Sequence, residues 1–225
     1  MKAKLNTQSM DWINQTTEIL NQYAVRVDDY FALEGLPCAG KTTTILQLKQ
    51  LAEYYVIDEL RLPPTEESCA SYLQQEPLRT ENIYKLKQLN KMIVGDRCIV
   101  STIAHKAALL SYNDEGTYHS EIQLLDQLAQ KKMIVLPSKV LTLDISVETS
   151  RNRQKIRDRD ILEGRLWFDS RFLGLINSST IAILENLNYS AGVLRGINSE
   201  IHDPDQTTHY VKEFLEDKNG TNNYK

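Results

Sequence analysis

Tyr30-Phe31-Ala32-Leu33-Glu34-Gly35-Leu36-Pro37-Cys38-Ala39-Gly40-Lys41-Thr42-Thr43-Thr44 decides how the rest of the chain reads. A short apolar run reaches Gly35, four residues lead to Gly40-Lys41-Thr42, and an apolar-periodic segment follows. The spacing fits the phosphate-binding pattern G-x-x-x-x-G-K-[ST] without substitution. Glycines let the backbone turn tightly and present consecutive N–H groups to phosphate oxygens. A helix starting near Gly40 adds its positive dipole end and unpaired amides to the same anion. Lys41 supplies a mobile ammonium for the outer phosphates, and the Thr42 hydroxyl a hard oxygen ligand for Mg²⁺. Gly35, Pro37, Cys38, Ala39, Gly40 and Thr43 complete the cradle. These residues imply a site for ATP with Mg²⁺.

Working outward, the 225 residues suit one α/β domain with appendages better than two cores. A hydrophobic share of 41% and a charged share of 25% are those of an ordinary globular protein. A net charge of −4 argues against a broad electrostatic footprint for a nucleic acid polymer. No apolar run approaches the length of a membrane span. The N-terminus has no apolar stretch of the secretory kind. Cys38, Cys69 and Cys98 stand at unrelated spacings and form neither a disulfide framework nor a zinc site. The expectation is a reduced, cytoplasmic protein without a membrane partner.

Residues 8–24 read as an amphipathic helix, with Ile13, Leu20 and Tyr23 on one stripe near Trp12 and Ile19. Asp28-Asp29 read as a turn into the strand Tyr30–Leu33, so residues 1–28 form a helical extension. Residues 29–217 form the main domain, and 218–225 a disordered tail. A helix over 40–53, a strand over 54–57 and a Pro63-Pro64 loop follow. Then come a polar helical stretch over 66–90, broken near Pro77, and the strand Met92-Ile93-Val94. Helices are expected over 101–110 and 121–131, a strand over 140–145 after Pro137, and an arginine-dense helix and loop over 147–165. A long helix over 166–187, a strand near Val193-Leu194 and a helix over 207–216 complete the chain. The alternation implies a parallel sheet covered on both faces, with ligands at the carboxyl ends of its strands.

Three strand ends carry the charges that phosphoryl transfer needs for positioning and neutralisation. Asp96, at the end of an apolar strand, is placed to hold Mg²⁺ or its waters. Arg97 offers a bidentate fork for a phosphate, though a surface ion pair fits its spacing equally. Glu59 is placed to take a proton from an acceptor hydroxyl or to orient the acceptor, or else is a solvated loop acid. Arg151, Arg153, Arg157 and Arg159 crowd the segment after the fourth strand. Either they belong to a basic lid that closes over the triphosphate, or they lace a helix with ion pairs to Asp158 and Asp160.

With these residues placed, the chain resembles the thymidylate kinase and deoxynucleoside kinase group of P-loop kinases, from about Tyr30 to Leu215. Glu34 through Thr42 resembles the E-G-x-x-x-A-G-K-[ST] loop of that group. Asp96-Arg97-Cys98-Ile99-Val100-Ser101-Thr102-Ile103-Ala104-His105-Lys106 resembles its D-R-x-x-x-S-[ST]-x-A segment. The resemblance implies a P-loop NTPase α/β sandwich of three layers, with a five-stranded parallel sheet, a helical lid and an N-terminal helical extension. It further implies that Arg97 holds an acceptor phosphate, that Ser101 lies near the acceptor pocket and that Glu59 is the acceptor-side carboxylate. Arg153, Arg157 and Arg159 would be lid arginines, with Asn198-Ser199 near the adenine of ATP. Members commonly form homodimers through helices flanking the acceptor site.

Three positions depart from the pattern: Pro37 stands for an acidic loop residue, Asp58 for an arginine, and His105-Lys106 for a base-reading pair. Thymine specificity is therefore not implied. The leading expectation is ATP-dependent phosphoryl transfer to a nucleoside monophosphate. A deoxynucleoside kinase acting on a sugar hydroxyl and a non-catalytic ATP-binding switch are the alternatives.

Overall fold

Branched and aromatic runs closed by turn residues become strands, and the apolar-periodic segments between them become helices that cover the strands. The computed structural model describes residues 3–60, 68–113, 116–157, 166–189 and 194–217. Among them are the strands β1 (Val25–Glu34), β2 (Tyr54–Ile57), β3 (Met92–Asp96), β4 (Val135–Asp144) and β5 (Leu194–Asn198). They pair in the order β2-β3-β1-β4-β5, every neighbour parallel. The helices are α1 (Thr7–Tyr23), α2 (Lys41–Leu48), α3 (Cys69–Lys87) and α4 (Ile99–Asn113). They continue with α5 (His119–Gln130), α6 (Val147–Arg157), α7 (Ser170–Asn186) and α8 (Pro204–Glu216).

Alternation along the central strand sorts the core. Phe31 and Leu33 pack with Ile45, Leu48, Val211 and Phe214 beneath α2 and α8. Ala32 faces the other layer with Leu73, Ile103, Ala107, Leu125 and Ile183 from α3, α4, α5 and α7. The register pairs Leu33 with Asp96 and Glu34 with Thr142, which brings the phosphate loop, Asp96 and the β4 end to one edge. β1 is central, so its loop opens between β3 and β4 at the place where chain order reverses.

α1 belongs to this packing. Asn6 caps it by accepting from Ser9 N at 2.8 Å, and Trp12, Ile13 and Leu20 are fully buried. Its polar groups close α4's carbonyls: Trp12 Nε1 donates to Ile103 O at 3.0 Å and Ser9 Oγ to Ala107 O at 2.7 Å. Burial worth roughly 1.5–3 kcal/mol per large apolar side chain seats the helix on the side of the domain.

Several boundaries differ from the sequence reading. β1 starts at Val25, so the limit drawn at 28/29 falls inside a strand. Asp28-Asp29 are not a turn: Asp29 takes φ +62° and the β1–β4 register slips between Val27 and Phe31. The same slip lets β4 run through Pro137, opposite Val27, because a proline that cannot donate is tolerated where the ladder is interrupted. Pro77 does not break α3. Fully buried Leu73 and Ile83 on either side, with a buried Glu76–Arg79 pair between them, offset the ~3 kcal/mol a mid-helix proline costs. α2 ends at Leu48, short of residue 53. α7 starts at Ser170, where Asp169 accepts from Phe172 N at 2.9 Å; Leu166–Phe168 form a separate 3-10 turn. Asp203 caps α8 from Pro204, ahead of residue 207. The Pro63-Pro64 loop, Arg159 and the tail lie outside the described residues.

Candidate active site

The loop after β1 has the backbone its glycines permit. Gly35 takes φ +138°, and a Cβ there would stand 2.5 Å from Leu143 O, so no other residue fits against β4. Gly40 begins α2 at φ +99°. Cys38 holds a left-handed φ of 58° between them. Lys41 is buried and folds back on its own loop, donating to Gly35 O at 2.8 Å and Leu36 O at 2.9 Å. Burial and, after it, the Arg97 charge lower its pKa from 10.5 to about 7, against the pull of Asp96, Glu34 and Glu59. Thr42 and Thr43 are exposed on the first turn of α2.

Neighbouring elements clasp the loop's carbonyls. Ser150 Oγ donates to Pro37 O at 2.8 Å, and Ser199 Oγ to Ala39 O at 2.8 Å. Arg153 spans both sides, with Nη1 on Cys38 O at 3.2 Å and Nη2 on Ser199 O at 3.0 Å. Arg153 therefore touches the phosphate loop through its backbone. Arg157 is exposed at the end of α6, while Arg151 Nε donates to Phe168 O at 3.0 Å. Asn198 is exposed at the end of β5 and accepts from Glu200 N at 2.9 Å.

Beside the loop, Glu34 organises the start of α4. It is 1% exposed; Oε1 accepts from Cys98 N at 2.9 Å and Oε2 from the Ser101 hydroxyl at 2.5 Å. A carboxylate at a helix N-terminus complements the helix dipole and its unpaired amides. Arg97 holds φ +70°, and its Nη1 reaches Gly35 O at 3.3 Å, Ser101 Oγ at 3.1 Å and Glu34 Oε2 at 3.8 Å. Its Nε lies 2.5 Å from Glu59 Oε1, a close ion pair whose N–H direction misses hydrogen-bond alignment. Asp96 is buried at the end of β3, and its Oδ1 has no hydrogen-bond partner among the described residues. Desolvation raises its pKa, and Lys41 opposes the shift.

From this charged edge a cavity of about 350 Å³ runs between α3, α4 and α7. Gly35, Pro37, Glu59, Arg97 and Ser101 line its phosphate-loop end; Tyr72, Arg79, His105, Trp167, Ile176 and Thr180 line the remainder. His105 and Trp167 stack at 5.2 Å between centroids and 11° between planes. Burial, then the Arg97 and Lys106 charges, depress the His105 pKa from 6.5 to about 4, so it is neutral near pH 7. Lys106 turns to Glu121 Oε1 at 2.7 Å.

Lys41, Asp96, Arg97 and Glu59 thus come together as the motifs imply, and Arg153 joins them through the loop. Glu34, Ser150, Tyr72, Arg79 and Trp167 were not singled out as site residues, and Ser199, expected near adenine, bonds instead to the phosphate loop at Ala39 O. Glu34 carried a signal, its place directly before Gly35. Arg79 carried a fainter one, its i,i+3 spacing from Glu76 between the apolar positions 73 and 83.

The fold and the loop define an α/β sandwich with a P-loop after its central strand. No protein-family model matches the sequence, and comparison with curated proteins finds no match either. Among solved structures, deoxyadenosine kinase from M. mycoides with the products dCMP and a flexible dCDP superposes with a TM-score of 0.57 at 14% identity, over 83% of this chain and 98% of that one. The same enzyme with bound dCTP gives 0.55 at 18% identity, over 82% and 97%. The YorR protein from Bacillus subtilis, in complex with phosphorylated GDP, gives 0.54 at 13% identity, over 83% and 95%. At these identities the likeness is one of fold.

Proposed function

We propose that this protein transfers the γ-phosphoryl group of ATP to a nucleoside-type acceptor held in the cavity. The observation that carries the reading is the shared wall: Gly35 and Pro37 belong to the phosphate loop and also line the cavity. An acceptor there lies beside the triphosphate, which is what in-line transfer requires. A volume of about 350 Å³ with a few convergent polar groups suits a ligand of nucleoside size. The fold neighbours solved with dCMP, dCTP and dATP support the same class.

Within that class the geometry favours a sugar hydroxyl as the acceptor. Arg97 is already neutralised by Glu59 at 2.5 Å and flanked by Glu34 at 3.8 Å, so a dianionic acceptor phosphate would meet two carboxylates. A neutral hydroxyl suits that surrounding, and Glu59 is placed to take its proton. The acceptor oxygen then bonds to the γ-phosphorus, the bond to the β–γ bridging oxygen breaks, and ADP leaves. Arg97 and Lys41 offset the charge on the transferring group. Asp96, with its unpaired buried Oδ1, and Thr42, with its exposed hydroxyl, fit Mg²⁺, which favours few protein ligands, waters and phosphate oxygens. Bound there, the ion would neutralise phosphate charge. The D-R-x-x-x-S pattern favours a second reading, in which Arg97 holds the phosphate of a nucleoside monophosphate.

Steady-state kinetics of Glu59→Gln and Arg97→Ala against nucleosides and their 5′-monophosphates separates the two. Loss of proton transfer should lower kcat for nucleosides by about 10²–10⁴ in Glu59→Gln. A monophosphate turned over best by wild type, with Glu59→Gln reduced less than about tenfold, would establish the second reading in its place.

A further inference from the structure

The buried side chains of α6 are Ser150 and Gln154, both polar, at 0% and 3% exposure and one turn apart on the same face. Together they make a continuous line of hydrogen bonds. Ser150 Oγ donates to Pro37 O at 2.8 Å, while Gln154 Nε2 donates to Ser150 Oγ at 3.4 Å and to Trp167 O at 3.0 Å. The protons fit one arrangement. A carbonyl only accepts, so Gln154 turns its amide nitrogen toward Trp167. That nitrogen's second proton meets Ser150, whose own proton is left for Pro37. One end of the line is the phosphate loop. The other is the backbone of the residue whose ring stacks on His105 in the cavity wall.

An element that buries little apolar surface belongs to the low-stability end of a fold, where a shift costs little. α6 is seated in that way, and it carries residues 166–168 with it. Arg151 adds a second tie to them, with Nε on Phe168 O at 3.0 Å and its guanidinium 5.0 Å from the Phe168 ring. The loop, for its part, changes its bonds when a triphosphate binds. Lys41 donates to Gly35 O and Leu36 O, and a phosphate competes with those carbonyls for the ammonium. A change at residues 35–37 passes to Ser150, and from Gln154 to Trp167, through bonds too buried for water to replace.

Resting on the triphosphate and acceptor sites proposed above, we propose that Gln154 is a positioning residue that ties the Trp167 wall of the cavity to the phosphate loop, so that nucleotide and acceptor strengthen each other's binding. Gln154 stands behind the wall and acts on the acceptor through the Trp167 ring. The sign follows from order. A loop that grips a triphosphate holds the line more firmly, and Trp167 with it. A wall already ordered costs the acceptor less to bind. The coupling is reciprocal: the factor that nucleotide adds to acceptor affinity, acceptor adds to nucleotide affinity.

The chain has two tryptophans, of which Trp167 is 36% exposed and Trp12 fully buried, so acrylamide quenching of the intrinsic fluorescence reads Trp167. In wild type, the unhydrolysable analogue adenosine 5′-(β,γ-imido)triphosphate with Mg²⁺ should protect Trp167 from acrylamide. It should also raise the affinity for the tightest-binding deoxynucleoside, read by calorimetry, by about fivefold or more. Gln154→Met keeps the side chain's volume and removes both donors. In it the analogue should still bind, the protection should be lost and the affinity factor should fall toward one. Ser150→Ala cuts the same line one bond earlier, and serves alone should Gln154→Met not fold. Links in series fail together, so the double variant should lose no more coupling than Gln154→Met. Damage to packing would lower Tm and the affinity for each ligand alone, and leave the factor between them standing. Shielding of Trp167 by the analogue itself would persist in the variants. Protection or an affinity factor that survives in a folded variant overturns the inference, as does a wild type with neither, and phosphate transfer to a nucleoside would leave the kinase reading intact. Should no nucleoside take up phosphate, the kinase reading fails. Quenching with the analogue alone then decides the coupling: protection lost in Gln154→Met upholds it, and equal or absent protection overturns it. An analogue that does not bind overturns both.

Discussion

Replacing Glu34 by Gln tests how the site is held together without changing its shape. The carboxylate accepts from Cys98 N at 2.9 Å and from Ser101 Oγ at 2.5 Å, with Arg97 Nη1 at 3.8 Å. Gln keeps the Cys98 bond through its carbonyl and turns the Ser101 contact round, its amide donating to the hydroxyl. Two charge-assisted bonds become neutral ones, a difference of roughly 1–1.5 kcal/mol each, or about 2–3 kcal/mol together. For a domain of this size that corresponds to a fall in Tm of about 4–12 °C. Glu34→Ala should cost more, about 3–6 kcal/mol, because two buried groups lose their partner outright. Urea unfolding followed by circular dichroism gives the stabilities, and acceptor KM reports whether Arg97 and Ser101 have moved. The reasoning fails if Glu34→Gln unfolds within about 0.5 kcal/mol of wild type with KM unchanged. It fails equally if Gln and Ala cost the same, since the neutral amide would then keep neither of the two bonds assigned to it.

Lys41 gives a pH dependence. The unfolded chain keeps that proton up to about 10.5 while the folded chain releases it near 7, so stability should rise with pH across that window, on the order of 5 kcal/mol. Lys41→Met should flatten the profile, and saturating ATP–Mg²⁺ should flatten it in wild type as well, because phosphate then holds the ammonium in the folded state too; urea titrations from about pH 6.5 to 9.5 that find the wild-type profile already flat would refute the buried lysine. Arg153→Ala should weaken ATP binding at least about tenfold, since it frees the Cys38 and Ser199 carbonyls from a shared charged donor; calorimetry that finds unchanged affinity refutes that clamp. Half-buried Cys38 should be alkylated by iodoacetamide and protected by ATP–Mg²⁺. Cys69, buried with its pKa pushed up to about 12 by desolvation, should stay unmodified; peptide mass mapping with Cys69 labelled first would contradict the burial argument.

The phosphate loop was legible because its information is local: glycines, a lysine and a threonine at fixed spacing dictate one backbone path. Asp96 and Arg97 were legible because they end an apolar strand, and parallel strands bring such ends together. Glu34 was quoted in the motif but gave no sign of its partners, since Cys98 and Ser101 lie more than 60 residues away. Arg79 was opaque for another reason: charged residues on a polar-looking helix read as solvated until a partner buries both. Pro77, Pro137 and the Asp28-Asp29 pair misled in the same way. Each is a local breaker that tertiary packing overrides, through the buried stripe of α3 in the first case and the slipped β1–β4 register in the other two.

The seat of α1 has a consequence for synthesis on the ribosome. Trp12 bonds to Ile103 across 91 residues, Asn6 to Ser111 across 105, and Asn21 to Asn186 across 165. At roughly 5–20 residues per second, the helix waits on the order of ten seconds for α7 to be made. Through that interval its apolar stripe has no native surface to meet, and β1 behind it lacks β4 for most of the time. Trp12, Ile13 and Leu20 thus stay uncovered until α4 and α7 are made. A ribosome stalled anywhere before residue 186 would display that segment to whatever chaperone or protease is near.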